Sequence, residues 1–329
     1  MSRLVSGRHS VAARVPRLWA LWAAARPSQL LLILLVYVLG VGIATAMSGL
    51  EGTRTVVSPS GFVFSEAFAP ALAGAVALVP VAVTIHYANE YADVETDALT
   101  EQTPFSGGSG ALVRTGLDAE FLQHATGASA VVSVLTLACI VSVVGLSPTA
   151  AGLLVTVLVV GVAYSLPPVA FIRRGVGEAV NALLGGLLLP LYGAATVGSA
   201  TVSTALTVVP FTLVVGCNLL ATHWPDRKAD ATVGKRTLAV RWRPDSLRRA
   251  YVVLAAVAAA TTALLWFLGL LPTLAALSHL VCVPFLVWGG YVLTRQRSPL
   301  PSVLAMVSLA VSTTLAWWAV AVGVGVLPL

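Results

Sequence analysis

The chain has 329 residues, 58% of them apolar and 10% charged, with a mean hydropathy of +0.92. Soluble domains carry about 25% charged residues, so a soluble globular protein is excluded and an all-α polytopic membrane bundle is expected. The net charge of +6 is no signal for nucleic acid, because the basic residues sit in short segments between long apolar runs.

The N-terminal segment 1–28 carries Arg3, Arg8, Arg14, Arg17 and Arg26 and no acid. It reads as a basic cytoplasmic segment ahead of a single membrane domain, 29–329. Ala44-Thr45-Ala46 imitates a signal-cleavage site. The apolar run before it is nevertheless long enough to span a bilayer, and many more follow, so it reads as a retained first helix. Nine spans are expected, at 29–48, 67–90, 121–146, 148–166, 177–198, 202–222, 249–270, 272–293 and 302–326. Ser147 and Leu271-Pro272 are links short enough for helical hairpins. The polar linkers are 91–117, 167–176, 223–248 and 294–301, with 91–117 and 223–248 expected to cap the bundle on one side. Of 19 Lys and Arg residues only Arg54 falls on the opposite side. The positive-inside rule then places the N-terminus in the cytoplasm and the C-terminus outside. Cys139, Cys217 and Cys282 lie far apart in apolar runs and offer no disulfide framework or metal spacing.

The second span runs into a polar break in which Asn89, Asp93 and Asp97 are spaced four apart. On a helix they share one face over roughly 12 Å. Clustered carboxylates at a membrane mouth repel one another and call for a counter-charge. A divalent cation supplies it, and hard oxygen ligands suit Mg²⁺. Asn218, Thr222, Asp226 and Asp230 repeat the spacing at the end of the sixth span. Four spans separate the two stretches, so their helices run parallel, as two pseudo-repeated halves would place them. Both stretches would then face one cavity and hold metal ions against a diphosphate. Solvated helix ends are the plain alternative, and marking topology is the plain role for Arg241, Arg243, Arg248 and Arg249. Glu178 and Asn181 read as an internally hydrogen-bonded pair, with cavity lining as the other option. A secondary transporter would place its ionisable residues mid-span, whereas here nearly all lie at span ends.

Five motifs in order carry a resemblance. Asn89-Glu90-x-x-Asp93-x-x-x-Asp97 resembles the first motif, NDxxDxxxD, of the UbiA superfamily of intramembrane aromatic prenyltransferases. Asp226-Arg227-Lys228-Ala229-Asp230 resembles the second, DxxxD. The run from Gly234 to Val240 is similar to the GKRTLAV that follows it in the 1,4-dihydroxy-2-naphthoate (menaquinone) branch. Arg26-Pro27, and Tyr164 to Pro168 followed by Arg173 to Glu178, resemble the opening RP and the YxxxP…rrGxGE link.

The resemblance implies Mg²⁺-dependent transfer of a polyprenyl group from its diphosphate to an aromatic acceptor within the membrane. Asn89, Asp93, Asp97, Asp226 and Asp230 would hold the metal. The remaining substrate contacts would come from Arg26, Glu90, Arg114, Tyr164, Arg173, Arg174, Lys235 and Arg236. The acceptor suggested is 1,4-dihydroxy-2-naphthoate; 4-hydroxybenzoate, a tetrapyrrole and a glycerol phosphate ether stay open. Three departures stand out. Glu90 replaces the usual Asp, Thr103 to Gly110 stands where an RP is usual, in a form that resembles the 1,4-dihydroxy-2-naphthoate branch, and His223-Trp224-Pro225 alters the lead-in to the second motif.

Overall fold

The computed structural model describes residues 11–50, 64–100, 103, 105, 107–198 and 200–323. Its helices are α1 Pro16–Ala24, α2 Pro27–Leu50, α3 Phe64–Ala92, α4 Val94–Leu99, α5 Ala111–Thr115 and α6 Ala119–Val144. Then come α7 Pro148–Ser165, α8 Phe171–Arg174, α9 Gly177–Leu183, α10 Leu189–Val197, α11 Val202–Thr207 and α12 Val209–Thr222. The chain ends with α13 Arg227–Thr232, α14 Leu238–Arg241, α15 Pro244–Phe267, α16 Thr273–Ser278, α17 Val283–Val292 and α18 Leu300–Ala321. A π-turn, Leu184–Leu188, joins α9 to α10, and a 3₁₀ turn, His279–Cys282, joins α16 to α17.

Among the described residues, eight segments are long and apolar enough to cross a membrane. The ninth expected crossing, 202–222, is built in two pieces. Pro210 lies in the first turn of α12, and its missing N–H is tolerated there because the chain restarts at Val208. Arg54, the lone basic residue assigned to the far side, lies outside the described residues.

The basic segment ahead of the first span is structured. α1 packs Ala20, Ala23 and Ala24 against Tyr87, Ala111 and Leu122. It breaks from α2 at Arg26, whose φ is +49°, with Pro27 opening the next helix. The break leaves the Ala25 carbonyl to pair with His86 Nδ1 at 2.8 Å. α7 starts cleanly because the Ser147 hydroxyl accepts from the Ala150 N–H at 3.1 Å, with Pro148 in its first turn. The same hydroxyl donates to the Ala195 carbonyl at 3.0 Å, which ties the helical hairpin to α10.

Small residues let the central helices close. A Cβ on Gly193 would lie 2.2 Å from the Tyr37 carbonyl oxygen, and one on Gly40 would lie 1.9 Å from that of Pro190. α2 and α10 are therefore in backbone contact, and Tyr37 and Tyr192 reach from them to the Ala71 and Gly74 carbonyls of α3 at 2.7 and 2.8 Å. α18 packs against both α2 and α12. The motif-bearing ends of α3 and α12 thus emerge on one side of a rigid frame.

Candidate active site

A cavity of about 1440 Å³ opens between these ends. Its deeper wall is apolar, with Leu35, Leu78, Val157, Leu189 and Met306; its mouth carries Asn89, Asp93, Asp97, Asp226 and Asp230. α3 stops at Ala92, but the chain continues helically through Asp93. The Asp93 N–H donates to the Asn89 carbonyl at 3.0 Å and the Asp97 N–H to that of Asp93 at 2.8 Å. That continuity keeps the three side chains on one wall. Pro225 ends the helical path of the second stretch. The chain recovers in α13, where the Asp230 N–H donates to the Asp226 carbonyl at 2.9 Å.

Lys235 joins the two stretches. Its Nζ lies 2.8 Å from Asp93 Oδ1 and 3.2 Å from Asp230 Oδ1, and the residue is 8% exposed. Burial works against its charge, yet Asp93 and Asp230 hold its pKa above the ordinary range. Asp97 has the opposite problem. Burial first, then Asp93 and Glu90, push its carboxyl up to about 7. Asp230 is also raised, chiefly by burial, despite Lys235. The mouth is short of positive charge, which suits a further cation. Among the described residues no three His, Cys, Asp or Glu side chains gather closely enough to hold a metal by themselves. An ion here would complete its shell with water or the oxygens of a bound anion.

Glu90 lies behind the cavity wall, 5% exposed, and its carboxylate is fully engaged. Arg26 donates to its Oε1 through Nε, at 2.7 Å, and through Nη2. Ser109 donates to Oε1 from its backbone at 3.0 Å and to Oε2 from its hydroxyl at 2.6 Å. Glu90 thus straps the 107–110 loop to the α1–α2 corner. Gly108, with φ +65°, lies so close that a Cβ would be 2.0 Å from Asp97 Oδ2, so a glycine is needed there.

The other expected contacts divide. Arg114 and Tyr164 line the cavity, Arg114 with its guanidinium 5.8 Å from the Trp19 ring centroid. Arg173, Arg174 and Arg236 are exposed and lie outside that wall. Arg173 donates to the Val233 carbonyl at 2.8 Å, and Arg174 to the Pro168 carbonyl at 2.9 Å and to that of Val169. The Arg236 backbone donates to the Ile172 carbonyl at 3.1 Å. The Arg173 and Arg236 contacts clamp the α8 turn to the second-motif loop, while those of Arg174 only tie the turn to the link before it.

One residue escaped sequence reasoning, and another has a different partner from the expected one: Glu178 pairs with His223 rather than with Asn181, which lines the cavity. His223, read only as an altered lead-in, lines the cavity beside Asn218 and Thr222. Glu178 sits behind it, its Oε1 3.1 Å from His223 Nδ1 and 2.6 Å from the Leu238 N–H. A histidine three residues before an acidic motif, at the end of an apolar helix, was the available signal.

Comparison with known proteins agrees with this architecture. The sequence model of the UbiA prenyltransferase family matches residues 53–308. A UbiA homologue from Archaeoglobus fulgidus, solved bound to DMAPP and Mg²⁺, superposes with a TM-score of 0.64 at 15% identity, covering 92% of this chain and 99% of that one. The same homologue bound to GPP and Mg²⁺ gives 0.61 at 16% identity, covering 92% and 99%. A digeranylgeranylglyceryl phosphate synthase gives 0.61 at 12% identity, covering 93% and 99%. A search of curated proteins gave no match. At these identities the structural likeness speaks for the fold, and the family match spans most of the chain: this multi-pass membrane protein belongs to the UbiA prenyltransferase family and is a prenyltransferase.

Proposed function

We propose that the chain transfers a polyprenyl group from its diphosphate to 1,4-dihydroxy-2-naphthoate, with Mg²⁺ at the cavity mouth. The observation that carries this reading is Lys235, which holds Asp93 and Asp230 from the two distant stretches at one mouth. Asn89, Asp93, Asp97, Asp226 and Asp230 would hold the metal, directly or through water. Bound Mg²⁺ would neutralise the diphosphate oxygens and so make the diphosphate a better leaving group. Lys235 adds a point charge beside it. The apolar depth of the cavity takes the prenyl chain and keeps water from the allylic carbon as positive charge develops there. Arg114, in the same wall, is the candidate for the acceptor carboxylate; Arg26 is already committed to Glu90. The naphthoate assignment is supported by the Gly234 to Val240 run and the Ser106 to Gly110 loop.

Purified protein incubated with Mg²⁺, one labelled polyprenyl diphosphate and a panel of acceptors tests this directly. The naphthoate should give the prenylated product mass. Product from 4-hydroxybenzoate or a glycerol phosphate ether, with none from the naphthoate, would replace the acceptor and keep the chemistry. We also place the mouth on the cytoplasmic side, from the distribution of basic residues. A cysteine set in residues 223–248 should then resist labelling from outside intact cells.

The strain on Asp97 gives a pH prediction for protein without added divalent cation. Its folded pKa of about 7 lies above the ordinary 3.8. Between those values the folded state holds more protons than the unfolded one, so stability should fall as pH rises from about 4 to 7. Asp97→Asn should flatten that slope, and Mg²⁺ with a prenyl diphosphate should reduce it. A thermal midpoint indifferent to pH across this window in the wild type would contradict the assignment.

A further inference from the structure

The Glu178–His223 pair is not used by the chemistry above. Glu178 is 4% exposed, near the start of α9, and its Oε1 carries both the Leu238 N–H and His223 Nδ1. Its Oε2 is buried without a hydrogen-bond partner. The carboxylate is thus anchored by backbone from the second-motif loop and turned toward one imidazole. His223 caps the C-terminus of α12 and lines the reaction cavity. With Nδ1 committed to a carboxylate, the neutral ring carries its proton there, and Nε2 keeps its lone pair. That arrangement, a base oriented by a buried acid, is the one enzymes use to take a proton from substrate.

We propose that His223 Nε2 is the general base that takes the proton from the acceptor's hydroxyl, and that Glu178 is its positioning residue. The idea rests on the transferase reading above and on the acceptor being hydroxylated. The aspartates at the mouth are poor candidates for this task, because a carboxylate holding a metal has little basicity left. In the step, the acceptor O–H bond breaks and an Nε2–H bond forms. The electron pair left on oxygen is delocalised into the ring and drives a ring carbon onto the donor's first carbon. The bond from that carbon to the diphosphate oxygen breaks, and its pair leaves with the diphosphate. The alkylated ring carbon then gives its proton to the departed diphosphate, or loses its carboxylate as CO₂ with the C–C pair passing into the ring, which regenerates the aromatic ring as a phenolate. The phenolate takes the proton back from the imidazolium.

The charged groups around His223 are Glu178 on α9, Asp230 on α13 and Lys235 in the loop after it, with Tyr164 of α7 close to Glu178. Burial opposes its protonation, Glu178 and Asp230 favour it and Lys235 opposes it; together they leave its pKa raised.

The test uses the full-length protein, Mg²⁺, a labelled prenyl diphosphate and whichever hydroxylated acceptor the wild type accepts. His223→Gln should lower kcat by about 10²–10⁴-fold, with the donor KM and donor binding close to wild type, which also certifies folding. The wild-type kcat should rise with pH through the histidine's titration. This limb should vanish in His223→Gln and move to lower pH in Glu178→Gln, where the ring loses its anionic partner. An acceptor with a more acidic hydroxyl should narrow the gap between wild type and His223→Gln. A His223→Gln enzyme at wild-type kcat, one impaired only in donor KM, or a wild-type limb of opposite sign would overturn the proposal. The last two would assign His223 to the diphosphate instead. A wild type silent on every hydroxylated acceptor would overturn the acceptor reading and this base together.

Discussion

Asp226→Ala is expected to lower turnover by about two to three orders of magnitude, the loss seen when one preorganised group stabilising developing negative charge is removed. At 1.36 kcal/mol per tenfold, this is roughly 2.7–4 kcal/mol of transition-state stabilisation. The second stretch reaches the cavity mouth through Asp226 and Asp230, and Asp230 already shares Lys235 with Asp93. Losing Asp226 therefore leaves the lysine bridge intact while removing one of the proposed metal ligands. EDTA should abolish activity in the wild type, and Asp226→Ala should need far more Mg²⁺ for the activity it retains. Steady-state kinetics across a Mg²⁺ titration reads both effects. Near-wild-type turnover in Asp226→Ala at low Mg²⁺ would sink the metal reading. Lys235→Ala should cost less at saturating Mg²⁺, because the ion replaces the charge lost between Asp93 and Asp230.

Glu90→Ala should be the most destabilising change near the mouth. It strands the Arg26 guanidinium, 19% exposed in its side chain, along with both the hydroxyl and the N–H of Ser109. Removing one partner of a buried pair costs about 3–5 kcal/mol. The partial exposure of Arg26 puts the estimate at the lower end, about 3 kcal/mol. The thermal midpoint in detergent should fall by several degrees, and the 107–110 loop should become sensitive to protease. Glu90→Asp is the informative control. Its arm is one methylene shorter, so it should keep Arg26 and weaken the hold on Ser109, giving an intermediate midpoint. An unchanged midpoint in Glu90→Ala would show that the strap bears no load.

The membrane architecture was legible in the chain itself. Long apolar runs can satisfy their backbone in a bilayer only as helices, so span positions follow from composition, and most expected spans match described helices to within a few residues. The four-residue spacing of Asn89, Asp93 and Asp97 likewise placed them on one wall, because helical geometry is local. The break at Val208 was not legible, because Pro210 in a first turn and Pro80 inside α3 are the same letter in different company.

What only the tertiary structure decided is which charge meets which. Arg173, Arg174, Lys235 and Arg236 were all expected among the substrate contacts, yet Lys235 alone of the four lines the cavity and bridges Asp93 and Asp230. Glu90 was expected among the substrate contacts and instead holds Arg26 and Ser109. His223 looked like a variation in a motif and is held by Glu178, 45 residues away in the chain. Sequence reports side chains and their local period; an ion pair between distant segments depends on how helices meet. Here that was set by the close backbone contact of α2 with α10 at Gly40 and Gly193 and by the loops that fold over the open end.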